Sequence, residues 1–300
     1  MLFGGAIKMK RGQIDVNCLA ELTCVIPFMD DGRQRRRNLS AVVGYLAEQG
    51  CGIVVAESGV RQCAPEFVRP DTQKCSFHFH RDGEPLFHRT RTINRAVHLV
   101  RTSLIALWDA DIVIPYIQLA RSALRLLERE CDYAFPFDGR CVDFAGHASA
   151  GYLSNPMRQV AFATHLPQVD EDKIGGITVL MDGGKLLGRT VTKTCVGGAV
   201  LFRRDVFMQG GMENEAFVSY GPEDKERDTR FRQLGFVSYR AEGLLYHLTH
   251  PRGINSDEGH LFSASNWAEY GRISGLSPSS LATEIAEWGW TRSHTPDAEP

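Results

Sequence analysis

The stretch that sets the fold is Leu104-Ile105-Ala106-Leu107-Trp108-Asp109-Ala110-Asp111-Ile112-Val113-Ile114-Pro115. An apolar run of strand length stops at two carboxylates one residue apart, and a proline follows soon after. Such a run buries as a core strand. Asp109 and Asp111 are then left at its carboxyl end, where open α/β sheets place their ligands. Two carboxylates this close repel each other unless a cation or another positive partner sits between them. Hard oxygen donors suit Mg²⁺ or Mn²⁺, ions often held by a few carboxylates together with substrate phosphates. The competing interpretation is a polar turn after a buried strand, because Asp-X-Asp also arises by chance.

Working outward toward the N-terminus, Glu21 to Phe28 (Glu-Leu-Thr-Cys-Val-Ile-Pro-Phe) is expected as a first buried strand. An arginine-rich turn from Met29 to Arg37 leads into an amphipathic helix near Asn38–Glu48, stopped by Gly50. Gly52 to Ala56 is a second short strand ending at Glu57, and a strand–helix–strand unit favours a parallel pair with a right-handed crossover. The turn after the first strand is a candidate nucleotide site. Its single glycine, Gly32, excludes a phosphate-binding P-loop and a dinucleotide fingerprint. Phe77-His78-Phe79-His80 alternates, so both histidines share one face of a short strand; a metal pair competes with an ordinary half-exposed strand. Phe87 to about Arg101 is a basic helix with Arg89 and Arg91 near its start, where cations oppose the helix dipole. That placement suits an anion such as a diphosphate, and equally a solvated basic face.

Toward the C-terminus, a helix over Ile117–Glu130 and a strand over Cys131–Phe137 follow. Residues 138–194 are rich in glycine and polar residues and show few strong strands, the pattern of a functional loop, lid or insert. Order returns at Cys195–Phe202, where Gly197-Gly198 opens a strand and permits close backbone approach to a ligand. A short helix from Arg204 ends at Gly210-Gly211, and Tyr220-Gly221-Pro222-Glu223-Asp224 opens another that runs to Leu234. A last strand, Leu244 to Arg252, carries His247 and His250 near its exit. Beyond it Leu281–Trp290 suits an amphipathic helix anchored by Ile285, Trp288 and Trp290, and the final residues are expected to be disordered.

Composition bounds these readings. The 300 residues can bury a full core, and 43% hydrophobic with 23% charged residues is ordinary for a globular domain. A net charge of −2 supplies no basic field for nucleic acid or an anionic membrane. No apolar stretch reaches the roughly 20 residues of a spanning helix, and Met1–Arg11 has no signal-peptide core. The eight cysteines form no C-x-x-C pair and several sit in apolar runs, so reduced thiols are expected rather than a zinc site or disulfide framework.

Four blocks in this order resemble the GT-A fold glycosyltransferases, nearest to the beta-1,4-galactosyltransferase family and its bacterial polysaccharide-synthesising relatives. Val25-Ile26-Pro27-Phe28 resembles the family's first strand and turn, with Met29 and Asp31 where the family has arginines. Phe87-x-Arg89-x-Arg91-x-x-Asn94 is similar to its nucleotide-contacting helix start, and Trp108-Asp109-Ala110-Asp111 to its Asp-x-Asp metal motif. Gly197-Gly198 with Tyr220-Gly221-Pro222-Glu223-Asp224 resembles its paired-glycine strand and Trp-Gly-Gly-Glu-Asp acceptor segment; Tyr220 stands for the tryptophan and Pro222 for the second glycine.

The resemblance implies an α/β, GT-A (Rossmann-like) mixed and mainly parallel sheet flanked by helices. The implied layout is an N-terminal lead-in over 1–20, a glycosyltransferase domain over 21–252 that contains the 138–194 insert, and a C-terminal extension over 253–300. It implies Mn²⁺ (or Mg²⁺) on Asp111, with Asp109 nearby on ribose or a metal-bound water and His247 as the ligand from the last strand, His250 being the other candidate. Asp224 would be the general base and Glu223 would orient the acceptor. Pro27, Phe28, Glu57, Arg89, Asn94, Asp109, Gly197 and Gly198 would bind the nucleotide sugar, Arg89 facing its diphosphate.

The implied activity is an inverting, galactosyltransferase-like hexosyl transfer from a UDP-linked donor to a glycan, lipid-linked or small-molecule acceptor, in polysaccharide biosynthesis. No nucleic-acid partner or transmembrane segment is expected, the oligomeric state is open, and a cytoplasmic or membrane-peripheral location follows. Two other classes stay open. A sugar-nucleotidyltransferase would release pyrophosphate and usually shows a glycine-rich loop that the 29–37 turn lacks. A non-catalytic nucleotide- or sugar-binding module would keep the fold without the chemistry.

Overall fold

The computed structural model describes residues 16–69, 73–144, 146, 170–174, 177–182, 185–192, 194–256 and 259–291. A 3₁₀ turn, Val16–Glu21, leads into β1 (Leu22–Phe28), followed by α1 (Arg33–Glu48), β2 (Gly52–Gly59), α2 (Ala64–Phe67), β3 (Cys75–Arg81), α3 (Arg89–Val97) and β4 (Leu104–Trp108). Next come β5 (Ile112–Val113), α4 (Tyr116–Leu127), β6 (Tyr133–Phe135), β7 (Cys141–Phe144), β8 (Asp170–Ile174), β9 (Ile177–Asp182) and β10 (Lys185–Thr192). The C-terminal part holds β11 (Ala199–Arg203), α5 (Arg204–Gln209), α6 (Glu223–Gln233), β12 (Ser238–Arg240), β13 (Leu245–His247), α7 (Ser263–Ser274) and α8 (Pro278–Glu287).

The main sheet has seven strands in the order β12-β6-β11-β4-β1-β2-β3. Its pairs are parallel except where β11 runs against both β4 and β6, so the sheet is mixed and mainly parallel. Every residue of β1 and β4 is buried, which is why both strands are apolar throughout rather than alternating. The expected strand–helix–strand unit is present, with β1 and β2 in parallel register from Thr23↔Gly52 to Phe28↔Glu57. Its helix starts at Arg33, earlier than the apolar pattern suggested. Arginine and glutamine are good helix formers, so the polar run joins the helix, and its buried face begins only at Asn38 and continues through Leu39, Val42, Val43, Tyr45 and Leu46.

A second, six-stranded sheet runs β5-β13-β7-β10-β9-β8. It corrects the reading of residues 138–194 as short of strands: their described parts supply β7 to β10. Pairing with a neighbour makes β8 a strand: Asp170-Glu171-Asp172-Lys173 pairs antiparallel with β9, although its sequence has no strand propensity of its own. The N-terminal 1–15 and the tail 292–300 lie outside the described residues.

One large core cluster fills the space around the main sheet, and a smaller one joins Ile273 of α7 to Leu281, Ile285 and Trp288 around α8. Ser277 caps α8 by accepting from the Ser280 amide at 3.2 Å, and Pro278 occupies the first turn, where a missing N–H costs nothing. The Trp290 indole N–H donates to the Gly211 carbonyl at 3.2 Å. All eight cysteines are free thiols. No helix among the described residues is long and apolar enough to cross a membrane.

Two sheets meet at the carboxyl end of β4. The Asp109 amide donates to the Gly198 carbonyl at 2.8 Å, and the Leu248 amide donates to the Asp111 carbonyl at 2.7 Å, tying the β4 exit to the start of β11 and the end of β13. Buried Asn38 of α1 secures the same junction by donating to the Leu248 carbonyl at 3.1 Å. Asn38→Leu should therefore lower stability by about 1–3 kcal/mol, the cost of an unsatisfied buried carbonyl. Chemical denaturation checks this; an unchanged midpoint would show that the junction does not need the bond.

Candidate active site

Pro27 and Phe28 from β1, Arg89 opening α3, and Asp109 and Asp111 after β4 line one cavity of about 520 Å³. Gly197 and Gly198 before β11, Glu223 and Asp224 at the start of α6, and His247 and His250 at the exit of β13 line it too. Residues spread over more than 200 positions of sequence meet there because β4, β11, β13 and α6 all present their ends to the same side.

Asp111, His247 and His250 each offer one ligand atom, and the three atoms lie within 4.8 Å of one another. His250 Nε2 is 3.1 Å and His247 Nε2 3.6 Å from Asp111 Oδ2. Both rings are oriented from behind. His247 Nδ1 donates to Asp143 at 2.8 Å, and His250 Nδ1 donates to the Pro251 carbonyl at 2.8 Å, so each turns Nε2 toward Asp111. Both histidines thus face the same Asp111 carboxylate. Burial alone would lower the His247 ring, but the Asp111 and Asp143 carboxylates outweigh it and push it up to about 10. Burial would likewise raise the Asp111 carboxyl; His247, His250 and Arg35 together hold it well below the usual carboxylate range. A protonated ring and a divalent cation answer the same local excess of negative charge. Two imidazoles with one carboxylate form a mixed nitrogen and oxygen donor set, which fits Mn²⁺ better than Mg²⁺.

Asp109 stands apart from this trio. Its Oδ1 accepts from Arg89 at 2.7 Å. Arg89 Nη1 also lies 3.6 Å from Asp224, 3.8 Å from Glu223 and 3.9 Å from Glu213. Arg89, which the resemblance places on the diphosphate, thus has four acidic side chains around its guanidinium at the α3 start. Arg91 pairs with Asp82 at 2.9 Å, and neither it nor His78 and His80 of β3 is among the cavity-lining residues.

Glu57 and Asn94 are also separate from the cavity. Buried Glu57 accepts from the Cys63 and Ala64 amides at 2.8 and 3.0 Å, which caps α2. Asn94 donates to the Glu213 carbonyl at 2.8 Å and accepts from the Glu213 amide at 2.9 Å. It fixes the segment that stands behind Arg89.

Gly197 has a local reason to be glycine: a Cβ there would run into the Asp224 carboxylate. Gly198 has φ +84, and a Cβ on it would come within 2.8 Å of Leu245. The pair lets the β11 entry pass directly beside Asp224. Asp224 Oδ1 is held by Arg227 at 2.7 Å, and Arg227 in turn by Glu213 at 2.8 Å. Burial, with the charge of Asp224 adding to it, pushes the Glu223 carboxyl up to about 8.

Three cavity-lining positions escaped the sequence reading. Asp143, which orients His247, lies inside the 138–194 stretch, where no motif marks it. Arg35 lies 3.6 Å from Asp111 and 3.3 Å from Asp31, and Arg252 lines the cavity beside it. The arginine-rich turn was a signal for Arg35, but spacing alone could not tell which of its arginines faces inward.

No protein-family model matches the chain, and no curated protein sequence matches it. Similar solved structures include the catalytic domain of Drosophila beta1,4-galactosyltransferase 7 in complex with xylobiose. That likeness has 17% identity over 73% of this chain and 64% of that chain, with a TM-score of 0.39. Another is glucosyl-3-phosphoglycerate synthase from Mycobacterium tuberculosis in complex with Mn²⁺, UDP and phosphoglyceric acid, with 10% identity over 91% of this chain and 84% of that chain and a TM-score of 0.46. The chain thus covers 64% of the length of the first of these.

The raised Glu223 carboxyl makes stability depend on pH. Between its ordinary value of 4.5 and about 8 the folded chain holds a proton that the unfolded chain has lost, so this group's contribution falls as pH rises through that window. Glu223→Gln removes the effect. Its stability relative to the parent should rise between pH 5 and pH 8 by on the order of a few kcal/mol, read from denaturant midpoints at each pH. A constant difference would mean that the carboxyl titrates normally.

Proposed function

We propose that this protein is a metal-dependent, inverting glycosyltransferase of the GT-A type that moves a hexose from a UDP-linked donor to an acceptor hydroxyl. The observation that carries the reading is the convergence of Asp111, His247 and His250 within 4.8 Å, in the same cavity as the Asp224 carboxylate. Asp111, His247 and His250 would hold a divalent cation, which when bound would neutralise the charge that develops on a departing nucleoside diphosphate. Arg35 and Arg252, beside the trio, take the diphosphate-binding role that the sequence had suggested for Arg89. Arg89 instead keeps Asp109 turned toward the donor side and balances the acids at the start of α6.

Asp224 is the general base. Arg227 and Arg89 both approach its Oδ1, which leaves Oδ2, the oxygen packed against Gly197, to accept the proton of the acceptor hydroxyl. Glu223, raised to about 8, is protonated at neutral pH and orients the acceptor as a hydrogen-bond donor. Attack on the face opposite the leaving diphosphate inverts the anomeric centre.

Isothermal titration with Mn²⁺ and UDP tests the metal assignment. Asp111→Ala should abolish Mn²⁺-dependent UDP binding, and His247→Ala and His250→Ala should each weaken Mn²⁺ affinity by about 10-fold or more. UDP binding that persists in excess chelator would sink the assignment. The mechanism has its own test. Asp224→Asn should bind Mn²⁺ and UDP like the parent but transfer sugar more slowly by about 10²–10⁴-fold. The product's anomeric configuration, read by NMR, should be opposite to the donor's; retention would rule out single displacement.

A further inference from the structure

The cations lining the cavity differ in what they already hold. Arg89 faces four carboxylates, and Arg35 faces Asp31 and Asp111. Lys225, next to Asp224 in α6, is exposed, lines the cavity, and among the described residues is in no ion pair with a carboxylate. Its ammonium lies 5.3 Å from the ring centroid of Trp267. Trp267 belongs to α7, beyond the blocks that carry the family resemblance in the sequence, and it too lines the cavity. It is 43% exposed and Tyr220, on the same wall, 39%, so two aromatic side chains are partly exposed along the Asp224 end of the cavity.

This wall is built in. Asn266, the residue before Trp267, is fully buried and grips the loop that leads to the catalytic acids. It donates to the Val218 and Tyr220 carbonyls at 2.9 and 3.2 Å and accepts from the Val218 amide at 3.2 Å. Gly221 admits this approach, since a Cβ there would come within 2.7 Å of the Asn266 amide nitrogen. Trp267 is therefore set in place by a hydrogen-bonded neighbour rather than by a loose surface contact.

Aromatic faces of this kind take up the C–H face of a sugar ring while the polar edges of both partners keep their hydrogen bonds. Beside them Asp224 repels an anion and Lys225 attracts one, so a negative group on a sugar bound at this wall is favoured on the Lys225 side. We infer that Tyr220, Trp267 and Lys225 form the acceptor subsite, and that the acceptor is a sugar ring carrying an anionic substituent, a carboxylate or a phosphate. This rests on the glycosyltransferase reading and adds to it the class of acceptor.

The test measures binding to the protein saturated with Mn²⁺ and UDP, using p-nitrophenyl β-D-glucoside, the corresponding β-D-glucuronide and the glucoside 6-phosphate. At least one charged glycoside should bind about 10-fold more tightly than the neutral one, as a charge-assisted contact allows. The two charged arms separate a carboxylate from a phosphate. Lys225→Ala should narrow that preference to about 3-fold or less, Lys225→Arg should restore it, and Trp267→Ala should weaken charged and neutral glycosides alike. Equal affinity for charged and neutral glycosides, binding of neither, or a preference that Lys225→Ala leaves unmoved overturns the inference while the glycosyltransferase reading stands. If UDP itself fails to bind with Mn²⁺, the glycosyltransferase reading falls and the inference falls with it.

Discussion

Buried negative charge at the end of a core strand is the constraint on which the rest of the site depends. Asp111 is buried, and His247, His250 and Arg35 gather around it. Asp109, two residues earlier, faces the other way and is answered by Arg89. The Asp-Ala-Asp turn thus divides the cavity into a side where cations converge on one carboxylate and a side where carboxylates converge on one cation. Charges removed from water are stable only in such matched groups, because an unpaired buried charge costs several kcal/mol.

The two sides are linked through structure remote from the cavity. Asn94 and Arg227 hold Glu213 behind Arg89, and Arg227 also holds Asp224 at the start of α6. On the opposite side Asp143 of the second sheet orients His247, so β7, hidden in a weakly patterned stretch, supports the group of Asp111, His247 and His250. The glycines serve the same arrangement. Gly197 and Gly221 are each passed closely by a polar side chain, Asp224 and Asn266 respectively, at points where a methyl group would collide.

The C-terminal helices have a more direct part than an extension suggests. Trp290 and Trp288 fasten them beside Gly211, and Asn266 joins α7 to the loop that precedes the acids of α6. Through that joint, residues beyond β13 contribute to the cavity wall.

Much of the fold was legible in the sequence because fully buried strands leave an unambiguous trace. The apolar runs of β1, β2 and β4, the glycine pair before β11 and the acids opening α6 can be read directly from residue order, and so can the placement of Asp109 and Asp111 at a strand end. Strands β7 to β10 were not legible as a set, since β7 is only four residues long and the acidic β8 is held by pairing with β9 rather than by an apolar pattern of its own. For the site, the sequence alone determined which residue types were available: carboxylates, two histidines near a strand exit, and arginines at helix starts. Only the tertiary structure decided their partners. It set Arg89 among acids, joined His250 to His247 on Asp111, and brought Arg35, Asp143 and Trp267 to the cavity. The physical reason is that strand burial is encoded locally, whereas charge pairing depends on distances between residues that lie far apart along the chain.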